Sequence, residues 1–363
     1  MPDVISTSSS PGAEPKAQDA ERRTALEKAG AAAAGIGAAG SGSPGRRLIG
    51  VVLVVLIFGF LIGFIVSQAN QLPDYDWQFE PAWLALAALG AAGMLVGQGE
   101  CWGVILRSLG GHIDGTPRRA VYAKSLVARY VPTSVLMVVG RVVLAERYGV
   151  PKRVCLASIV YEVGIALCTA VMVGAYFVIT MPRLEDQSAR YAILIVIPIA
   201  LLALHPRVFE PLANFALGKL GREPLPRVIR FGRVLEIMGL YLLTWLAIGI
   251  GVFAFAAALQ PMDVSDFPYV AASYPVAFCV AVLTFIVPSG LGTRDAALAT
   301  ALSAVLPGAV ATAIAIAFRL LQVGLEIVYV AVTTALGRGW DRKSSVVSRQ
   351  SSERDADREH PGA

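Results

Sequence analysis

The sequence predicts an all-α, multi-pass transmembrane bundle in which two segments dip into the membrane and return as re-entrant helical hairpins. Three observations predict it. The 363 residues are 56% hydrophobic and 16% charged, against roughly a quarter charged in a soluble globular chain. The apolar residues gather in long runs. The Lys and Arg of the connections between those runs are crowded on alternate connections and nearly absent from the others, the pattern that orients a membrane protein.

Residues 1–45 start charged and continue as "AGAAAAGIGAAGSGSPG", which offers little to bury, so a disordered tail is expected. The membrane domain, 46–338, opens with Leu48 to Ser67, twenty residues without a charge. That run is long enough to cross a ~30 Å hydrocarbon core at about 1.5 Å per residue. It is longer than a signal-peptide core and begins too far into the chain for one, which makes it an anchor. Further spans are predicted at 82–106, 154–180, 237–259 and 309–336, with a shorter one at 191–204. Residues 339–363 read as a second disordered tail.

Connections 46–47, 107–119, 145–153, 205–236 and 338–343 carry 17 Lys and Arg, whereas 68–81, 181–190 and 260–270 carry 2. The basic connections and both termini are therefore expected in the cytoplasm, with the protein in the cell membrane. The net charge of +5 serves this orientation and suits anionic headgroups; no nucleic-acid partner is implied. Segment 205–236 mixes Arg with Leu, Phe and Ile, as an interfacial amphipathic stretch does. The four cysteines lie in apolar segments without CxxC spacing and read as small buried hydrophobes. With histidines only at 112, 205 and 360, neither a metal nor a cofactor is expected.

Orientation then forces two segments to turn back. Connections 107–119 and 145–153 both read as cytoplasmic, yet "AVYAKSLVARYVPTSVLMVVGRVVLA" lies between them. It must enter and leave on one face, and Pro132 supplies the break, because proline interrupts the helical ladder and displaces its predecessor from helical geometry. Likewise, 271–307 must begin and end outside, with "PSGLG" at its tip. The two stretches share Val-Pro-(Ser/Thr), then Gly, Arg and a small apolar helix, an echo of the inverted repeats of transporters.

A charge near mid-bilayer costs at least ~2.5–3.5 kcal/mol, so Arg129, Arg141, Glu162, Arg294, Asp295, Arg319 and Glu326 must face one another or a wet cavity. Thr293 is placed to cap the helix after the glycine turn, and Asp295 in its first turn complements the dipole. With Arg294, the free N–H groups of that turn make an anion-binding corner, or Arg294 and Asp295 merely neutralise each other. Arg129 and Arg141 flank the first break and either hold substrate or snorkel to headgroups. Glu162, deep in "SIVYEVGIAL", is expected to pair with an arginine. Arg319, Gln322 and Glu326 recur at i, i+3 and i+7 on one face, as helix-to-helix glue or as the wall of a polar path.

The stretch "RYVPTSVLMVVGRVVLAERYGVP" (129–151) resembles the first signature of the lysylphosphatidylglycerol synthase transmembrane-region family, flippase-like integral membrane proteins. "VPSGLGTRDAAL" (287–298) is similar to that family's Pro-Gly-Gly-Leu-Gly-x-Arg-Glu-Ala signature. The resemblance covers roughly 48–337. The matched positions are Arg129, Pro132, Gly140 and Arg141 in the first motif, and Pro288, Gly290, Leu291, Gly292 and Arg294 in the second. Thr133 and Ser289 stand where the family commonly has glycine, and Asp295 replaces its Glu. The resemblance implies a lipid-handling membrane module, fused in some members to a cytosolic aminoacyl transferase. Bacterial fused forms modify phosphatidylglycerol and move the product outward, whereas archaeal relatives serve dolichol-linked glycosylation.

No stretch outside the membrane approaches the ~100–150 residues of a catalytic domain, so aminoacyl transfer by this sequence is not expected. The expectation is a non-enzymatic protein that binds or translocates an anionic phospho- or polyprenyl-linked lipid, with membrane lipids and a separate transferase as its partners. A non-catalytic subunit of an envelope lipid or glycan synthesis complex and a membrane-embedded lipid-modifying enzyme are the alternatives.

Overall fold

The computed structural model describes residues 79–127, 135–181, 188–219, 224, 228–283 and 292–359. The expected tail at 1–45, the span at 48–67 and both expected hairpin tips, Gly292 apart, lie outside the described residues. Among the described residues every regular element is helical, as expected of a chain whose spans must satisfy their backbone groups internally.

Four long helices form the frame: α1 (Pro81–Ser108), α4 (Lys152–Thr180), α7 (Phe231–Leu259) and α10 (Gly308–Glu359). All of α1 and α7, α4 through Ile179 and α10 through Gly337 are long and apolar enough to cross a membrane. Pro81 opens α1, where its missing N–H costs nothing. Helices α1 and α7 pack along their length through small residues. A Cβ on Gly90 would sit 2.5 Å from the Ala247 carbonyl oxygen and 2.7 Å from the Gly251 nitrogen, so the two backbones are in direct contact.

Between these helices lie two pairs of short ones. The first is α2 (Gly115–Val127) with α3 (Val135–Glu146), 13 and 12 residues. The second is α8 (Phe267–Leu283) with α9 (Thr293–Leu302), 17 and 10 residues. At about 1.5 Å per residue every arm falls short of ~30 Å. Members of each pair pack on each other; α4 touches α3 and α8, while α10 touches α2 and α9.

The contacts at their ends show that each pair returns to the side it came from. Tyr269 near the start of α8 donates its hydroxyl to the Ala301 carbonyl at the end of α9, 2.7 Å away. Phe177, at the end of α4, stacks on the same Tyr269 at 4.4 Å. At the other end of α4, Lys152 is ion-paired to Glu146, which ends α3, at 3.3 Å, and a Cβ on Gly111, shortly before α2, would lie 3.1 Å from Val154 Cγ1 in the first turn of α4. Gly149, with φ 78°, closes α3: the Val150 N–H reaches back to the Ala145 carbonyl in the glycine C-cap geometry.

The short span expected at 191–204 is a 3-10 stretch, Ser188–Ile195, running into α5 (Val196–Leu204). Because 3-10 helix rises about 2.0 Å per residue, these 8 and 9 residues reach about 30 Å, so few residues go far. The chain then bends by 72° into α6 (Pro206–Lys219). Leu212 and Phe215 of α6 are exposed while Phe209 and Ala213 are buried, the two-faced form of an interfacial helix. The segment 205–236 is thus partly helical, and α7 starts at Phe231, six residues before the expected 237. The final helix continues to Glu359, so the backbone is helical over 339–359 where composition predicts disorder. No Gly or Pro falls between Trp340 and His360, and the helix stops just before Pro361, whose ring disfavours helix in its predecessor.

Candidate functional site

The first cluster forms where α2, α3 and α4 meet. Arg141 follows Gly140 on α3 and is 0% exposed, so it does not snorkel to the surface. Its Nη1 donates to Glu162 on α4, and its Nε donates to Ser125 Oγ on α2 at 3.0 Å. Tyr122, one helical turn before Ser125, donates its hydroxyl to the other Glu162 oxygen at 3.0 Å. The guanidinium lies over the Tyr122 ring at 4.5 Å and near the Trp102 ring at 5.3 Å. Trp102 of α1 is fixed in turn by its Nε1–H donating to Ser158 Oγ at 2.9 Å. The deep carboxylate thus finds the arginine that the sequence requires for it, and aromatic faces supply the rest of the cation's surroundings.

Arg141 itself is incompletely matched. Among the described residues, nothing accepts a hydrogen bond from Arg141 Nη2, although it is fully buried. Leaving such a donor unmade costs about 1–3 kcal/mol, more when it is charged.

The second cluster joins α8, α9 and α10. Arg294, in the first turn of α9, donates from Nη1 to the Tyr274 hydroxyl at 2.9 Å and from Nη2 to Gln322 Oε1 at 3.2 Å. Gln322 Nε2 donates to the same Tyr274 oxygen at 2.8 Å. That oxygen accepts twice, which leaves its own proton for a further acceptor. Asp295 is ion-paired to Arg294 at 3.6 Å, as the neutralising reading expects, and the hydrogen bonds to Tyr274 and Gln322 come in addition to that pair. The expected cap is corrected: Gly292, with φ 86°, is the N-cap and no side chain bonds there, while Thr293 is the first helical residue. A left-handed φ suits glycine, so the turn residue itself takes the cap position. The first-turn N–H groups of α9 belong to the same turn as Arg294, and no helix satisfies those internally.

The last helix links the two levels. Arg319, Gln322, Glu326 and Thr333 are buried and share a face with Tyr329. A Cβ on Gly99 of α1 would lie 3.0 Å from the Tyr329 hydroxyl and 3.3 Å from Tyr122 Cδ1, which places Tyr329 beside the first cluster. Gln322 belongs to the second cluster. Seven residues separate Gln322 from Tyr329, about 10 Å of helix. Arg141 and Arg294 share no partner, so they are two stations instead of one clamp.

A third group escapes sequence reasoning. Arg118, counted as a loop charge, lies in α2 and is buried. It is ion-paired with Glu100, which also accepts from Arg119 Nε at 2.5 Å. The available signal was the spacing Arg118, Tyr122, Ser125, which puts three polar-tipped residues on one helical face. Arg129, Pro132, Pro288 and Gly290 lie outside the described residues. Among the described residues no group of three His, Cys, Asp or Glu is arranged to hold a metal.

The family model of the lysylphosphatidylglycerol synthase transmembrane region matches residues 47–329. The chain belongs to this family. The match takes in both pairs of short helices and all three charged clusters of this flippase-like membrane protein. No curated protein matches the chain.

Proposed function

We propose that this protein binds an anionic lipid headgroup of phospho- or polyprenyl-phosphate type inside the cell membrane and moves it between the leaflets, with both termini cytoplasmic. One observation carries this reading. Each pair of short helices carries an arginine held among buried polar and aromatic side chains, Arg141 in the first and Arg294 in the second, and the polar face of α10 reaches from Gln322 at the second to Tyr329 beside the first. Charges this deep are costly, and glue between helices does not require donors left over. Here Arg141 Nη2 has no acceptor among the described residues, and Tyr274 holds a proton to give. A headgroup oxyanion satisfies both kinds of donor, and its tails stay in lipid. A separate transferase fits as the source or consumer of the lipid.

An embedded enzyme would instead need a free carboxylate pair or an activated nucleophile, and the carboxylates of Glu162 and Glu100 are tied to arginines. The test is leaflet exchange of fluorescent phosphatidylglycerol in liposomes containing the purified protein. Arg294→Ala is expected to slow exchange at least about tenfold, as loss of a charge-assisted hydrogen bond implies, with the melting temperature little changed. Exchange equal to that of protein-free liposomes for the unaltered protein rejects translocation, and a product of altered mass points to an enzyme.

A further inference from the structure

In the state seen, Glu162 sits where a bound oxyanion would sit. Its carboxylate takes the Arg141 Nη1 donor and the Tyr122 hydroxyl, two donors of the sort a phosphate oxygen seeks. It leaves Nη2 empty-handed. A carboxylate placed as structural glue for a fork-shaped guanidinium would engage it with both oxygens. Glu162 instead splits its oxygens between two side chains, on α2 and α3. Both of those helices belong to the re-entrant pair, whereas Glu162 stands on the long span α4.

From this division we infer that Glu162 is an internal competitor for the first station: it occupies the anion seat of Arg141 and Tyr122, and a phosphate oxyanion binds there by displacing it. The inference rests on the lipid-headgroup reading above and names the residue that sets affinity at one of its two stations. At the second station the carboxylate is held more loosely: Asp295 is ion-paired to Arg294 at 3.6 Å, beyond hydrogen-bond distance, while the neutral groups of Tyr274 and Gln322 accept from the guanidinium. The two stations therefore differ in how firmly they hold an anion, although each has one arginine. A conformation in which α2 and α3 part from α4 would open the first station, because those are the contacts Glu162 makes.

Competition of this kind has a direct consequence. Removing the charge of Glu162 while keeping its shape must tighten anion binding, whereas removing a structural prop must weaken it. Trp102, 5.3 Å from the guanidinium, provides the signal. The full chain in detergent micelles is titrated with short-chain phosphatidylglycerol, with inorganic phosphate, and with short-chain diacylglycerol, which lacks the phosphate. Tryptophan emission is followed, and a Trp102→Phe protein identifies the local component.

Glu162→Gln is expected to bind phosphatidylglycerol about tenfold more tightly than the unaltered chain, the size of one charge-assisted competitor removed. Diacylglycerol is expected to give no Trp102-dependent change. A gain for phosphatidylglycerol alone assigns the seat to a lipid headgroup; an equal gain for inorganic phosphate assigns it to the free anion, and both support the competitor role. Unchanged or weaker binding by a folded Glu162→Gln protein overturns it. Should Glu162→Gln fail to fold, Glu162→Asp replaces it: the shorter side chain draws the carboxylate back from Arg141 and Tyr122 while leaving both donors of the seat in place, and binding tightened severalfold supports the competition, while unchanged or weaker binding overturns it. If Arg294-dependent exchange persists while Glu162→Gln gains nothing, only the competitor falls. If neither exchange nor any anion binding is seen, the headgroup reading falls with it.

Discussion

A buried arginine is only as stable as its partners, and at the residue scale Arg141 depends on Glu162. Truncating one member of a buried pair leaves the other charge unpaired, at a cost of about 3–5 kcal/mol. Glu162→Ala is therefore expected to lower the melting temperature in detergent markedly, and Glu162→Ala combined with Arg141→Met to recover most of the loss. A double variant no more stable than the single one would show that the pair is not the cause. The depth of Glu162, ten residues after the start of α4, was legible in the sequence and demanded a cation. Which cation it was could not be read, because Arg129, Arg141 and the loop arginines all lay within reach on paper. Arg118 shows the converse. Its charge was visible, but whether a basic residue near a helix end reaches water or turns inward depends on what faces it, and here that is Glu100.

At the scale of elements, the frame rests on small residues that let backbones touch. Gly90 and Gly93 both lie on α1, but their surroundings differ. A Cβ at position 90 meets the Ala247 carbonyl at 2.5 Å, whereas one at 93 meets only the Ala247 methyl at 3.4 Å. Gly90→Ala is expected to force α1 and α7 apart and destabilise by about 1–3 kcal/mol, and Gly93→Ala to be tolerated; equal melting temperatures for the two would contradict the packing. Sequence reasoning located both helices from their apolar runs. It could not pair them, because contact through small residues leaves no periodic trace distinct from ordinary membrane glycine. The segment at 191–204 makes a similar point. It is short on a count of residues, and only its 3-10 geometry gives it the reach of a span.

For the whole molecule, the decisive feature is that two helix pairs enter and leave on one side each. Single cysteines introduced into a cysteine-free chain in liposomes test this. Ser265→Cys, before α8, and Ser303→Cys, after α9, are expected to be labelled by an impermeant reagent from the same side. His112→Cys and Arg147→Cys, which flank the first pair, are expected to react together from the other. Opposite reactivity within either couple would make that pair a full crossing and leave its arginine without a station.

The sequence by itself determined that this chain is a helical membrane protein with broken segments and charges that need company. Hydrophobic run length, basic-residue placement and proline chemistry act locally and can be counted along the chain. Only the tertiary structure decided how those charges divide: Arg141 with Glu162, Arg294 with Tyr274 and Gln322. The partners are joined across 20 to 28 residues of chain. Their meeting depends on how the short helices tilt and turn against α4 and α10, which packing fixes and no local pattern encodes.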